Sequence, residues 1–234
     1  MNAFDQLIVE FILKHLSRSF YVFYIVEFLS DDNLVKGGVF ATLLWYLWFK
    51  VRPNQEQNRV QLIATLISVF FVMVVTLSLA GLAPFRKRPF LDPGLYFSSF
   101  VPLNESLTKM SSFPSDHAAL FISLATGLLF VSRKIGLLSL LYTFLFILIP
   151  RIYLGYHYPT DIVAGALIGA SITAFFNYSA VIKNKISQWI MPFSKDYPAL
   201  FYSFLFIVTY QIADLFWGSR EIITYVHKLY KHQF

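Results

Sequence analysis

The stretch "VQLIATLISVFFVMVVTLSLAGLAP", residues 60–84, contains no charged side chain. A helix that crosses a bilayer needs roughly 20 predominantly apolar residues, because about 30 Å of hydrocarbon must be spanned. Residues 60–84 meet that length. The stretches 34–51, 116–132, 135–154, 161–182 and 197–217 are similar in character. Together they predict an all-α fold, a polytopic membrane helix bundle of about six transmembrane helices.

Composition supports the same conclusion. Of 234 residues, 57% are hydrophobic and only 14% are charged, with a mean hydropathy of +0.60. Six spans nearly exhaust the chain and leave no room for a second soluble domain. The formal charge of +6 is scattered over short connections rather than gathered into a stripe, which excludes nucleic acid as a partner. With no cysteine, a disulfide framework, an iron–sulfur site and a thiolate nucleophile are all excluded.

At the N-terminus, Glu10, Lys14 and Arg18 recur every fourth residue, opposite Phe4, Ile8, Ile12 and Leu16. These charges interrupt any signal-peptide core and predict an interfacial amphipathic helix within a segment 1–30. A short extra span over 20–29 is the alternative, opposed by Glu27, Asp31 and Asp32. The transmembrane core is expected over 31–190, with an additional helix and tail over 191–234.

Lys and Arg in short connections orient such a bundle. Lys50, Arg52 and Arg59, then Arg133 and Lys134, then Lys183, Lys185 and Lys195 fall on one side if the spans alternate, which makes that side cytoplasmic. The segments 85–115 and 155–160 then face outward. Arg86, Lys87, Arg88 and Lys109 break the rule there, as a functional demand for positive charge would explain. Arg86 and Lys109, taken singly, are expected to snorkel at the interface. Trp45, Trp48, Trp189 and Trp217 are expected to be interfacial anchors, and Asp214 a structural carboxylate.

The outward segments hold the unusual residues, in "FRKRPF" (85–90), "PSDH" (114–117) and "RIYLGYHYPTD" (151–161). Arginines beside helix starts form an anion site, since the guanidinium fork matches phosphate oxygens and the free N–H groups point the same way. Ser115 has the character of an N-cap. Pro159 suits a first helical turn, which puts Asp161 just inside the helix and within reach of His157. A carboxylate on one ring nitrogen would leave the other as base or nucleophile. Asp161, Gly165 and Gly169 share a face suited to close helix packing. A metal held by His117, His157, Asp116 and Asp161 is a weaker alternative, because the adjoining arginines would repel a cation. His15, His227 and His232 lack such company.

In order and spacing these clusters resemble the type 2 phosphatidic acid phosphatase superfamily of membrane lipid phosphatases, whose pattern is K-x6-R-P, then P-S-G-H, then S-R-x5-H-x3-D. Arg151, His157 and Asp161 match the third motif, Pro114, Ser115 and His117 the second, and Arg88-Pro89 the end of the first. The resemblance covers 60–182. It implies a phosphohistidine mechanism without metal or other cofactor, in which His157 attacks phosphorus, Asp161 orients it and His117 protonates the leaving oxygen. Arg88, Arg151 and the Ser115 region would hold the phosphoryl oxygens.

This chain departs from the pattern at three positions. Gly81 replaces the motif lysine, whose charge Lys87 or Arg86 could supply from nearby. Pro150 replaces serine. Asp116 replaces glycine, a variant similar to bacterial undecaprenyl-diphosphate phosphatases, and its role is open. The implied function is removal of a terminal phosphate from a lipid phosphate or diphosphate at the outer face of a cytoplasmic membrane. Undecaprenyl diphosphate is the first candidate, phosphatidic acid or phosphatidylglycerol phosphate the next. A phosphotransferase, or a lipid-phosphate-binding or flipping protein without hydrolysis, is the alternative.

Overall fold

The computed structural model describes residues 1–15, 19–92, 94–95, 97 and 105–216. Leu16, Arg18, Trp217, His227 and His232 lie outside them. Ten helices form the described fold: α1 (Ala3–His15), α2 (Phe20–Asp31), α3 (Leu34–Phe49), α4 (Gln55–Leu82), the short α5 (Glu105–Lys109), α6 (Asp116–Val131), α7 (Arg133–Tyr153), α8 (Pro159–Tyr178), α9 (180–196) and α10 (Pro198–Ala213). No strand occurs among the described residues.

Three of the six expected spans, α4, α7 and α8, are long and apolar enough to cross a membrane. The other three, α3, α6 and α10, are shorter apolar helices. Of these, α6 is the central helix: Ala118, Ala119, Leu120, Phe121, Leu124, Ala125 and Leu128 are all fully buried, and α6 is walled in by α4, α7 and α8. A helix apolar all round belongs in such a core.

Close approach and hydrogen bonds hold this core together, because lipid gives little hydrophobic drive between helices. A Cβ on Gly165 would run into the Ser115 carbonyl oxygen, and one on Gly169 into the Ala119 carbonyl oxygen. The glycine face of α8 therefore packs directly on the α6 backbone, as its spacing predicts. Deeper in, Thr173 Oγ1 meets Ser123 Oγ at 2.6 Å and Ser68 Oγ at 2.9 Å, and Asn177 Nδ2 donates to Thr65 Oγ1 at 3.2 Å. These rungs tie α4, α6 and α8 together.

Two expectations change. Trp45 and Trp48 are more than interfacial anchors: their indole N–H groups donate to Thr209 Oγ1 and Tyr202 Oη, both at 3.1 Å, and lock α3 to α10. A buried indole needs such a partner. The N-terminal helix is more than an interfacial float. Phe4, Leu7 and Phe11 are exposed along with Glu10 and Lys14, but Asp5 and Val9 are buried against the bundle, where α1 packs on α7 and α8. Asp214 accepts from Asn33 Nδ2 at 3.0 Å and so joins the end of α10 to the start of α3.

Candidate active site

The starts of α6 and α8, the end of α7 and the segment 85–92 meet at one end of the bundle. Local chemistry places each part. Ser115 caps α6, its Oγ accepting from Ala118 N at 3.3 Å, and its own N–H donates to the Asp161 carbonyl at 3.0 Å. Pro159 opens α8, and Asp161 Oδ2 accepts from Tyr158 N at 2.8 Å. Between α7 and α8, Gly155 adopts φ +70, a left-handed turn suited to glycine, and its carbonyl accepts from Phe90 N at 3.0 Å. That bond draws the "FRKRPF" segment onto the "RIYLGYHYPTD" turn.

The result brings together Arg88, Arg151, His117 and His157. Arg88 and Arg151 are each 6% exposed and His157 is 3% exposed, so three ionisable groups sit where water hardly reaches. Arg88 Nη1 donates to the Tyr156 carbonyl at 2.8 Å and lies 3.4 Å from His157 Nε2, while its Nε donates to the Leu107 carbonyl at 3.1 Å. Arg151 Nη2 donates to the Ser30 carbonyl at 2.9 Å and to His117 Nε2. Each histidine thus faces one arginine. Arg151 Nε is buried with no partner among the described residues, a donor left for an anion.

Both imidazoles are fixed as single tautomers. His157 Nδ1 donates to the Ser112 carbonyl at 2.8 Å, so Nε2 keeps its lone pair toward Arg88. His117 Nδ1 donates to Asp116 Oδ1 at 2.9 Å, so Nε2 is the atom that accepts from Arg151. Burial first, and then the charge of Arg88, pushes the His157 imidazole well below its ordinary 6.5. Burial likewise pushes the neighbouring Tyr156 phenol up to about 12 and lowers Arg88.

Asp161 differs from expectation. Its Oδ2 lies 3.9 Å from His157 Nδ1, too far for a hydrogen bond. The carboxylate is occupied elsewhere, with Oδ2 on Tyr158 N and Oδ1 on Arg86 Nη1. The partner that orients His157 is a backbone carbonyl, which no side-chain motif can announce. Arg86 also differs: it is no snorkelling cation, since Nη2 donates to Asp5 Oδ2 at 2.7 Å and Nη1 to Thr160 Oγ1 at 2.8 Å. Lys87 is exposed while Arg86 and Arg88 on either side are drawn inward. Gly81 is exposed, with nothing near a Cβ placed there.

Sequence reasoning overlooked two residues. Asp5 is fully buried and accepts from Thr160 N at 2.9 Å and Thr160 Oγ1 at 2.8 Å as well as from Arg86. Lys36, 2% exposed, donates from Nζ to the Ser30 carbonyl that Arg151 also uses. The only sequence signal for Lys36 was a lone cation followed by two glycines inside an apolar run. Among the described residues no three of His, Asp or Glu converge on a metal-binding arrangement.

Comparison with known proteins follows the same motifs. The chain is 38% identical over 85 residues to bacitracin transport permease protein BcrC of Bacillus licheniformis, a match covering 36% of this chain and 41% of that protein. It is 27% identical over 165 residues to undecaprenyl-diphosphatase BcrC of Bacillus subtilis (strain 168), covering 68% of this chain and 76% of that one. The chain thus spans about two fifths of the first relative and three quarters of the second. No solved structure matches it significantly. The model of the PAP2 superfamily matches residues 60–185, which include all three clusters. On that match, over more than half its length, the chain belongs to the PAP2 superfamily.

Proposed function

We propose that the protein is a multi-pass membrane phosphatase that removes the terminal phosphate of a lipid phosphate or diphosphate through a phosphohistidine. The observation that carries this is the pairing of an unprotonated His157 Nε2 with Arg88 Nη1 at 3.4 Å, a long contact that leaves the Nε2 lone pair for phosphorus and the guanidinium beside it for a phosphoryl oxygen. His157 Nε2 attacks phosphorus and the bond to the leaving oxygen breaks. The electron pair departs with that oxygen, which takes a proton from His117 once the anionic substrate has drawn Arg151 off Nε2 and Nε2 has taken up a proton from solvent. Water then attacks the phosphohistidine, giving up a proton to His117 and releasing phosphate. Arg88 and Arg151 stabilise the equatorial charge, with the O–H of Ser115 as a further donor. Asp116 holds His117, and Asp161 shapes the start of α8 beneath the site. No step calls for a metal.

A lipid diphosphate is the favoured substrate, supported by the name of the Bacillus subtilis relative and by the Asp116 variant of the second motif. The active end faces the outer side of the cytoplasmic membrane, supported by the basic connections at the other end. The name of the Bacillus licheniformis relative favours a second reading, in which a lipid phosphate is bound or moved without turnover. Purified protein in detergent, given undecaprenyl diphosphate, phosphatidic acid and phosphatidylglycerol phosphate, is expected to release phosphate from at least the first. His157→Ala is expected to release none, and equal release by that variant would remove His157 as nucleophile. Binding with no release by the native chain would favour the second reading.

A further inference from the structure

Lys36 is buried on the His117 side of the site, yet the motifs do not account for it. Its backbone lies in a π-helical turn, Leu34–Gly38, at the start of α3, and such turns swing a side chain out of the regular helical register. Gly37 backs directly on the Ala213 backbone, where any Cβ would collide. That contact seats α3 against α10 on one side and turns Lys36 toward the interior, where it is 2% exposed. Its Nζ donates to the Ser30 carbonyl.

Arg151 Nη2 donates to the same carbonyl at 2.9 Å. Two buried cations therefore share one neutral acceptor, an arrangement that costs free energy unless an anion completes it. Arg151 acts on Lys36 electrostatically, with Asp31, Asp116 and Asp32 opposing it more weakly, but the Lys36 hydrogen bond goes to an uncharged oxygen. Buried polar atoms without a partner among the described residues include Arg151 Nε and Ser30 Oγ. An ammonium, a guanidinium and a hydroxyl are thus gathered around one residue, Ser30, and phosphate oxygens are the acceptors that satisfy all three.

The position of Lys36 relative to the histidines decides which phosphate. The Arg151 nitrogen that shares its carbonyl is the one that meets His117 Nε2, and the charge of Lys36 acts on His117 directly. Arg88 attends His157 at the other side of the site. On the proposed mechanism, His157 takes the transferred phosphoryl group and His117 serves the leaving oxygen. Lys36 then stands beside the leaving group. When the substrate is a monophosphate ester, that group is an alcohol with no charge for an ammonium to meet. When the substrate is a diphosphate ester, it is itself a phosphate.

We infer that Lys36 is a specificity-determining residue that binds the second, non-transferred phosphate and so favours lipid diphosphates over lipid monophosphates. It also restores to the site, from a different helix, a cation that Gly81 cannot provide. The inference rests on the proposed phosphatase reading for its assignment of sides.

Farnesyl diphosphate and farnesyl monophosphate, which share one apolar chain, provide the test. Lys36→Met is expected to lower the ratio of kcat/KM on diphosphate to that on monophosphate at least tenfold. Lys36→Gln, which keeps a donor for Ser30, should do the same, and Lys36→Arg should keep the ratio within about threefold, since charge is retained. A second arm needs no turnover: inorganic pyrophosphate should raise the native thermal midpoint more than inorganic phosphate does, and Lys36→Gln should abolish that excess. An unchanged ratio in an active Lys36→Met or Lys36→Gln enzyme overturns the Lys36 assignment and leaves the phosphatase reading standing. If the native chain turns over neither ester, the lipid panel above decides the phosphatase reading and the thermal arm decides Lys36: loss of the excess supports it, and an equal excess or none in the native chain overturns it.

Discussion

Asp116 Oδ1 lies 2.9 Å from His117 Nδ1 and also accepts the His117 backbone N–H at 2.8 Å. A residue that departs from the family's glycine is therefore the group that orients the proposed proton carrier. With Nδ1–H held there, Nε2 is the atom offered to Arg151 and, beyond it, to the leaving oxygen.

Asp116→Asn keeps the shape of this contact and removes its charge, and Asp116→Gly removes both. Each is expected to lower kcat about tenfold or more, with little change in KM, because proton transfer rather than binding is affected. Steady-state kinetics on the best lipid of the panel measures this. A rise in KM at constant kcat would make Asp116 a binding residue instead.

The ion pair of buried Asp5 with half-buried Arg86 predicts a stability effect at a residue far along the sequence from any motif. Asp5→Ala leaves the Thr160 N–H without its acceptor and Arg86 with Asp161 and Thr160 alone, and is expected to destabilise the fold by about 1–3 kcal/mol. Thermal unfolding in detergent should show the lowered midpoint, with easier proteolysis at the N-terminus as α1 lifts. A midpoint equal to that of the native protein would show that the pair contributes nothing.

The depressed pKa of His157 predicts two pH effects. Above its ordinary 6.5 the imidazole is neutral in both folded and unfolded chains and adds no pH dependence. Below 6.5 the unfolded chain gains a proton there that the folded chain refuses, so stability falls with pH through that window. Between about pH 7 and about pH 5, His157→Gln should therefore lose less stability than the native protein. The rate of phosphohistidine formation should hold through pH 6.5, because the nucleophile stays unprotonated. A rate that halves at 6.5 with His157 as the titrating group would contradict the assignment.

Gly165 tests the seating of α6 on α8. Gly165→Ala sets a Cβ against the Ser115 carbonyl oxygen, and overpacking of this kind costs about 1–3 kcal/mol. The shift reaches Ser115 and His117 directly, so activity should fall further than stability, on the order of 100-fold for a displacement near 1 Å. Comparing kcat with the thermal midpoint separates the two effects.

Membrane orientation is testable because the chain has no cysteine. A cysteine at exposed Lys87 should react with a membrane-impermeant maleimide on intact cells, whereas one at Lys134 should react only after permeabilisation. The reverse pattern would place the active end in the cytoplasm.

The helical, apolar character of the chain and the residues that converge at one end of the bundle were legible in the chain itself, for a physical reason. Apolar runs of 20 or so residues admit few structures other than a spanning helix, and Arg88, His117, Arg151 and His157 are polar groups at helix ends with no other reason to lie there. The glycine face of α8 was equally readable, since spacing alone brings Gly165 and Gly169 to one side. Tertiary structure alone decided the partners. Asp161 lies at hydrogen-bonding spacing from His157 along the chain, but its oxygens go to Tyr158 and Arg86, and the Ser112 carbonyl takes its place. Asp5, Arg86 and Lys36 read as ordinary charges until folding sets them among groups up to 155 residues away. Local sequence fixes which side chains can bear charge and where helices start. Which of those charges ends up beside another depends on how the helices pack, and that is a property of the whole bundle.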